Sequence, residues 1–188
     1  IGVLGLQGNY FQHQKSLLKL KVDSIIVKNK QTLNQCDGLI IPGGESTAIS
    51  KSLDQADLRT AIKDYSKSHS IFGTCAGMIM LSKTPKTNNL KCLDIMNFVV
   101  YRNYWGSQKN SFIDTVNLNL DGTKHIKGFF IRAPKIKSCS DNIRTLAYYK
   151  ENPVLISDGY HLASSFHPEL TNNLVVHDYF LKLVYETI

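Results

Sequence analysis

Short apolar runs alternate with amphipathic stretches through the first third of the chain. Residues 1–6, 24–27 and 38–42 are continuous apolar or small runs, too short for core helices. Between the first two, residues 9–20 read as a helix with Phe11, Leu17, Leu18 and Leu20 available for packing. Residues 47–67 read as helical, with a break near Asp54. Ile71 and Phe72 form a further strand, and residues 76–82 the helix after it. Short apolar strands separated by helices predict a parallel sheet covered on both faces.

The pattern changes in the second half. Residues 98–101, 112–116, 129–132, 145–149 and 154–156 are strand-like, with little helical sequence between them. That spacing predicts antiparallel additions or hairpins beside the parallel strands. A last strand over 163–167 precedes a final helix over about 172–186, with Leu174, Val175, Phe180, Leu183 and Val184 at packing positions. No repeat, low-complexity tract or long linker divides the sequence, so residues 1–188 read as one domain. In open parallel sheets ligands bind beyond the carboxyl ends of strands. The loops after Ile41, Phe72 and Ile131 are therefore the places to look for chemistry.

The loop after Phe72 carries it most clearly. Gly73-Thr74-Cys75-Ala76-Gly77 has small residues around a thiol, as a sharp strand-to-helix turn requires. Helix N–H groups aimed at the sulfur would favour the thiolate, which is the reactive form. His167 and Glu169 lie two residues apart, and Pro168 keeps His167 out of the helical region. In an extended segment the two side chains would share one face. Histidine would then take the thiol proton, and the carboxylate would orient the imidazole. A cysteine with a sequence-distant histidine suits an intracellular thiol enzyme. Cys36, Cys92 and Cys139 lack glycine flanks and read as structural.

Two further elements stay open on the residues alone. Gly43 and Gly44 allow amide groups to approach a ligand and to stabilise an oxyanion. The same stretch also reads as a turn with Ser46 or Thr47 capping the next helix. Arg102 and Arg132 could each grip a carboxylate through two hydrogen bonds, or form ordinary surface ion pairs. His13, His69, His125, His161 and His177 lack metal-ligand spacing and receive no role.

Composition narrows the class. Of 188 residues, 43% are hydrophobic, which supports a sizeable core. No apolar run approaches the roughly 20 residues of a membrane span. The apolar start has no basic residues ahead of it and reads as a strand, not a signal peptide. Four cysteines without dense spacing suit a reducing cytosol, so a cytoplasmic location is expected. The formal charge of +7 comes from scattered lysines, with no interleaved aromatic pattern, so no nucleic-acid partner is expected.

Taken together, Gly73-Thr74-Cys75-Ala76-Gly77 with Phe166-His167-Pro168-Glu169 resembles the class I, triad-type glutamine amidotransferases. Gly5-Leu6-Gln7-Gly8, Pro42-Gly43-Gly44-Glu45-Ser46-Thr47, Arg102-Asn103 and Phe130-Ile131-Arg132-Ala133-Pro134 narrow the resemblance to the glutaminase subunits of pyridoxal 5′-phosphate synthase. The resemblance runs nearly end to end. It implies hydrolysis of L-glutamine to L-glutamate and ammonia on a three-layer α/β/α fold with a mostly parallel sheet. It makes Cys75 the nucleophile with His167 and Glu169 its partners, and it puts Gly43, Gly44, Glu45, Arg102, Ile131 and Arg132 around glutamine. It implies no cofactor and no metal for that step. It further implies a hetero-oligomeric complex with a (β/α)8-barrel synthase subunit that receives the ammonia. The chain departs from the family at Gln12, commonly Glu, and at Ser107, commonly Arg; the second removes a charge near the substrate region.

Two other functions fit the same residues less well. The partner could be the synthase of another pathway, histidine or aminobenzoate, although Glu45-Ser46-Thr47 argues against that. The chain could also be a non-catalytic regulatory subunit, against which the intact triad speaks. A cysteine peptidase on a related fold suits the two arginines and the Gly-Gly loop less.

Overall fold

The computed structural model describes residues 1–85, 90–105, 111–120 and 122–187. In chain order the strands are β1 (Gly2–Leu4), β2 (Ile25–Val27), β3 (Gly38–Ile41), β4 (Ser70–Thr74), β5 (Phe98–Trp105), β6 (Phe112–Leu120), β7 (Thr123–Phe130), β8 (Ala133–Cys139), β9 (Arg144–Tyr149), β10 (Asn152–Ser157) and β11 (Leu162–Ser164). The helices are α1 (Tyr10–Lys19), α2 (Lys30–Leu33), α3 (Ser46–Gln55), α4 (Leu58–Tyr65), α5 (Ala76–Leu81) and α6 (Val175–Thr187). One 3-10 turn, Pro168–Leu170, follows β11.

Nine strands form one mixed sheet in the order β2-β1-β3-β4-β11-β10-β9-β6-β7. The run from β2 to β11 is parallel, and from β11 through β10, β9 and β6 to β7 each pairing is antiparallel. Side-chain alternation explains why β3 is apolar along its length. Leu39 and Ile41 of β3 pack with Ile49, Leu53 and Met78 on the α3–α5 face. Ile40 between them packs with Leu17, Phe180 and Val184 on the opposite α1 and α6 face. Ile71 and Phe72 of β4 divide in the same way. A two-stranded ribbon of β5 and β8 adds Phe98, Val100 and Ile136 to the first of these cores.

Several expectations need correction. The break expected near Asp54 falls just after Gln55, where the left-handed φ of 52° at Asp57 separates α3 from α4. In α1, Phe11 and Leu18 face solvent and His13, Ser16 and Leu17 are the buried positions. Helical spacing accounts for it, since 13, 16 and 17 share a face while 11 and 18 lie on another. The strand-like residues 129–132 end at Phe130, and β8 begins directly after Arg132. The sequence pattern missed α2 and β8 altogether. The first has only four residues, and the second carries Lys135 and Lys137 on a partly solvated strand.

Candidate active site

Loops from the ends of β3, β4 and β11 converge at one edge of the parallel sheet. β4 delivers Cys75 at the tip of its turn, with φ 51° and ψ −104°, immediately before α5. Such a backbone costs about 1–3 kcal/mol for a residue with a side chain, so its surroundings must hold it. They do so by close approach. The Cys75 amide donates to the Ser164 carbonyl at 2.7 Å. A Cβ on Gly77 would stand 1.9 Å from the Ile41 carbonyl oxygen, and one on Gly73 2.6 Å from the Gly77 backbone. The two glycines thus let α5 seat directly against the strands that bear the site. The thiol itself points at the Ile131 carbonyl, 3.7 Å away.

β11 ends at Ser164, and the chain turns so that His167 comes back over Cys75. His167 is held by its amide, which donates to the Phe129 carbonyl at 3.0 Å. Thus β7, the far edge of the sheet order, curls round to reach the site. The His167 backbone, at φ −102° and ψ 89°, stays out of the helical region as Pro168 requires without being fully extended, and Glu169 sits in a 3-10 turn, not in an extended strand. The expected proximity survives this correction. His167 Nδ1 lies 2.7 Å from Glu169 Oε1, with both residues buried.

Electrostatics follow from that contact. Burial alone opposes a charged imidazole, but the Cys75 and Glu169 hydrogen bonds outweigh it and raise the His167 pKa to about 10. Burial likewise opposes ionisation of Glu169, yet His13 and His167 bring its pKa down to about 2. We assign most of that hold to His167, because burial lowers the His13 pKa and leaves that ring neutral. Since Nδ1 of His167 is engaged by the carboxylate, Nε2 is the nitrogen left for proton exchange with the thiol.

A cavity of about 220 Å³ opens over the thiol. Gly43, Gly44, Glu45, Ile131, Arg132, Cys75 and His167 line it, together with Asn9 and Asn103. Cys75, Asn103 and Arg132 all have positive φ, so three strained non-glycine residues border one cavity. Arg102 does not line it. Its Nη2 lies 3.6 Å from Glu45 Oε1 and donates to Thr47 Oγ1 at 3.4 Å. Glu45, rather than Ser46 or Thr47, caps α3, with Oε2 accepting from the Ala48 amide at 2.9 Å. Burial opposes the Glu45 charge, but the Ala48 and Thr47 hydrogen bonds with nearby Arg102 together outweigh it and lower its pKa below the usual range. Ser107 lies outside the described residues.

Sequence reasoning gave no role to His13 and His177, which lie behind Glu169 with no exposed surface. His13 Nδ1 is 3.0 Å from His177 Nε2, and His13 Nε2 is 3.2 Å from Thr74 Oγ1. The only sequence signal is that each histidine falls on a helix face shared with core residues, Leu17 and Phe180. Among the described residues no group of three or more His, Cys, Asp or Glu side chains is arranged to hold a metal. No helix among them is long and apolar enough to cross a membrane.

Comparison with known proteins agrees with this geometry. Residues 3–186 match the family model described as the SNO glutamine amidotransferase family. The pyridoxal 5′-phosphate synthase subunit PdxT of Desulforamulus reducens is 44% identical over 187 residues, covering 98% of each chain. Its counterpart in Thermotoga maritima is 40% identical over 185 residues, again covering 98% of each. A crystal structure of a glutamine amidotransferase superposes with a TM-score of 0.91 at 36% identity, over 98% of both chains. The glutaminase domain of a Trypanosoma brucei CTPS, at 12% identity and a TM-score of 0.57, shares the fold.

Proposed function

This chain belongs to the SNO glutamine amidotransferase family, and on that premise we propose that it is the glutaminase subunit of a pyridoxal 5′-phosphate synthase. It hydrolyses L-glutamine to L-glutamate and ammonia and passes the ammonia to a synthase partner. The observation that carries this reading is the strained Cys75 beneath a buried His167–Glu169 pair, at the floor of a cavity bordered by Gly43 and Gly44.

The chemistry runs through Cys75, His167 and Glu169. His167 Nε2 takes the Cys75 proton, and sulfur attacks the side-chain carboxamide carbon of glutamine. The carbonyl electron pair moves to oxygen, where the Gly44 and Ala76 amides can meet it. Gly43 is less suited, because its amide already donates to Thr74 Oγ1 at 3.1 Å. As the tetrahedral carbon collapses, His167 returns its proton to the leaving nitrogen and ammonia departs. A water, deprotonated by His167, then cleaves the thioester and frees glutamate. Glu169 keeps the imidazole oriented and supports its positive charge throughout.

In this reading glutamine lies against Gly43, Gly44, Glu45, Ile131 and Arg132. Glu45 answers its ammonium group and Arg132 its carboxylate. Arg102 acts from the rim by holding Glu45. The 188 residues are one glutaminase domain, working in the cytoplasm without cofactor, metal or nucleic acid. The partner is a (β/α)8-barrel subunit in a hetero-oligomeric complex.

Glutamate release from L-glutamine, measured with and without the barrel subunit, tests both halves. Strong activation by the barrel is expected, and Cys75→Ala should abolish turnover in the complex. A fully active alanine variant would overturn the mechanism. Equal activity with and without the barrel would overturn the proposed partner.

A further inference from the structure

We propose that His13 is a positioning residue that ties the triad carboxylate to the glycine loop, with Thr74 as the link. This rests on the glutaminase reading and deepens it. The geometry is a branched contact. His13 Nε2 stands 3.2 Å from Thr74 Oγ1 and 3.6 Å from Glu169 Oε2. Thr74 Oγ1 in turn accepts the Gly43 amide at 3.1 Å. Gly43 abuts the other side of the triad, since a Cβ there would lie 2.4 Å from His167 Cε1. One imidazole nitrogen therefore sits between the carboxylate that orients His167 and the hydroxyl that anchors the loop beside it.

The direction of the hydrogen bonds follows from charge. Glu169 Oε2 is buried and has no hydrogen-bond partner, and neither does His177 Nδ1. One tautomer puts the His13 proton on Nε2, aimed between Thr74 and the anion, while Nδ1 accepts from His177 Nε2. The vacant acceptor at His177 Nδ1 then ends the chain. The other tautomer would turn a lone pair toward the carboxylate and leave an unpaired N–H at His177. Orphaned buried donors are rarer than under-satisfied acceptors, and the anion favours the first arrangement. The titratable groups that face His13 are Glu169, His167 and His177, and the Phe72 ring packs edge-on at 6.2 Å. Burial lowers the pKa of His13 and holds that of His177 near 3, so both act as neutral dipoles and not as counter-charges. His13 thus orients Glu169 without neutralising it.

The test combines turnover in the synthase complex with the titration of His167, read by NMR on histidine-labelled chain. His13→Leu removes the donor; His13→Gln keeps an N–H near the Nε2 position. The leucine variant should lower kcat about 10- to 100-fold at nearly constant KM, as slight misplacement of a catalytic group does. Its His167 midpoint should fall by about one pH unit or more as Glu169 loses its orientation. His13→Gln should restore much of both. A folded leucine variant with kcat within about twofold and an unmoved His167 midpoint would overturn the proposal. Thr74→Val cuts the same link from the other side and should cost kcat similarly. In the double variant His13→Leu/Thr74→Val the losses should not multiply; multiplied losses would overturn the link through Thr74. If the leucine chain does not fold, Thr74→Val with unchanged kcat overturns it instead. Absence of glutamate from the unmodified complex would defeat the glutaminase reading. The titration needs no turnover and would still decide whether His13 holds Glu169.

Discussion

Gly43 leaves no room for even one more carbon. An alanine Cβ there would press on His167 Cε1 at 2.4 Å and approach Cys75 Cβ at 3.3 Å. The ring is the softer neighbour, so it should move away from the sulfur. Gly43→Ala should therefore lose about 100-fold or more in kcat, the typical penalty for misplacing a catalytic group by about an ångström. Kinetics of glutamate release with the synthase present, beside a thermal melt to show intact folding, would check it. The glycine pair was visible in the sequence, and so were the elbow cysteine and the His-x-Glu spacing, because each is a local pattern. His13 and His177 were not, because they are 164 positions apart and meet only when α1 and α6 cover the same face of the sheet. Arg102 was legible as a cation near the site, but only the fold shows it spending its guanidinium on Glu45 and Thr47.

The element that presents Cys75 depends on a second contact. α5 is buried at all six positions and lies so close to β3 that Gly77 nearly touches the Ile41 carbonyl. Alanine has the better helix propensity by about 1 kcal/mol. Here that gain is outweighed, because a Cβ 1.9 Å from a backbone oxygen forces the helix or the strand to shift. Gly77→Ala should destabilise the chain by about 3 kcal/mol, the upper range for overpacking, and urea unfolding would measure it. A neutral or stabilised variant would show that α5 is free to move. The strand-then-helix pattern around Cys75 made this element legible in advance. β7 and β8 were harder to read. Thr123–Phe130 and Ala133–Cys139 place lysines on their solvated sides, which dilutes the apolar signal that marks the central strands.

Over the whole molecule, the buried ionisable groups should set the pH range of stability. His13 and His177 are held neutral, so below about pH 6.5 the unfolded chain takes up protons that the folded chain refuses. Each histidine then removes about 1.4 kcal/mol per pH unit as the pH falls, for His177 down to about 3. Glu169, with its pKa near 2, adds to this loss below about pH 4.5, where its unfolded form protonates. His167 works in the other direction. Its folded pKa near 10 stabilises the fold fully below about pH 6.5, and that contribution fades as pH rises toward 10. Stability should therefore peak near pH 6.5, and denaturant midpoints across pH 4–10 would reveal it. In His177→Phe the acid limb should be shallower; an unchanged limb would contradict the assignment. The sequence by itself determined the parallel core, the thiol turn and the pairing of His167 with Glu169, because apolar periodicity, glycine and proline act over a few residues. Only the tertiary structure decided that β7 curls back to hold His167, that Arg102 reaches Glu45, and that two histidines stand behind the carboxylate. Those contacts join segments far apart in the chain, and no local preference encodes which buried polar groups will meet once both faces of the sheet are covered.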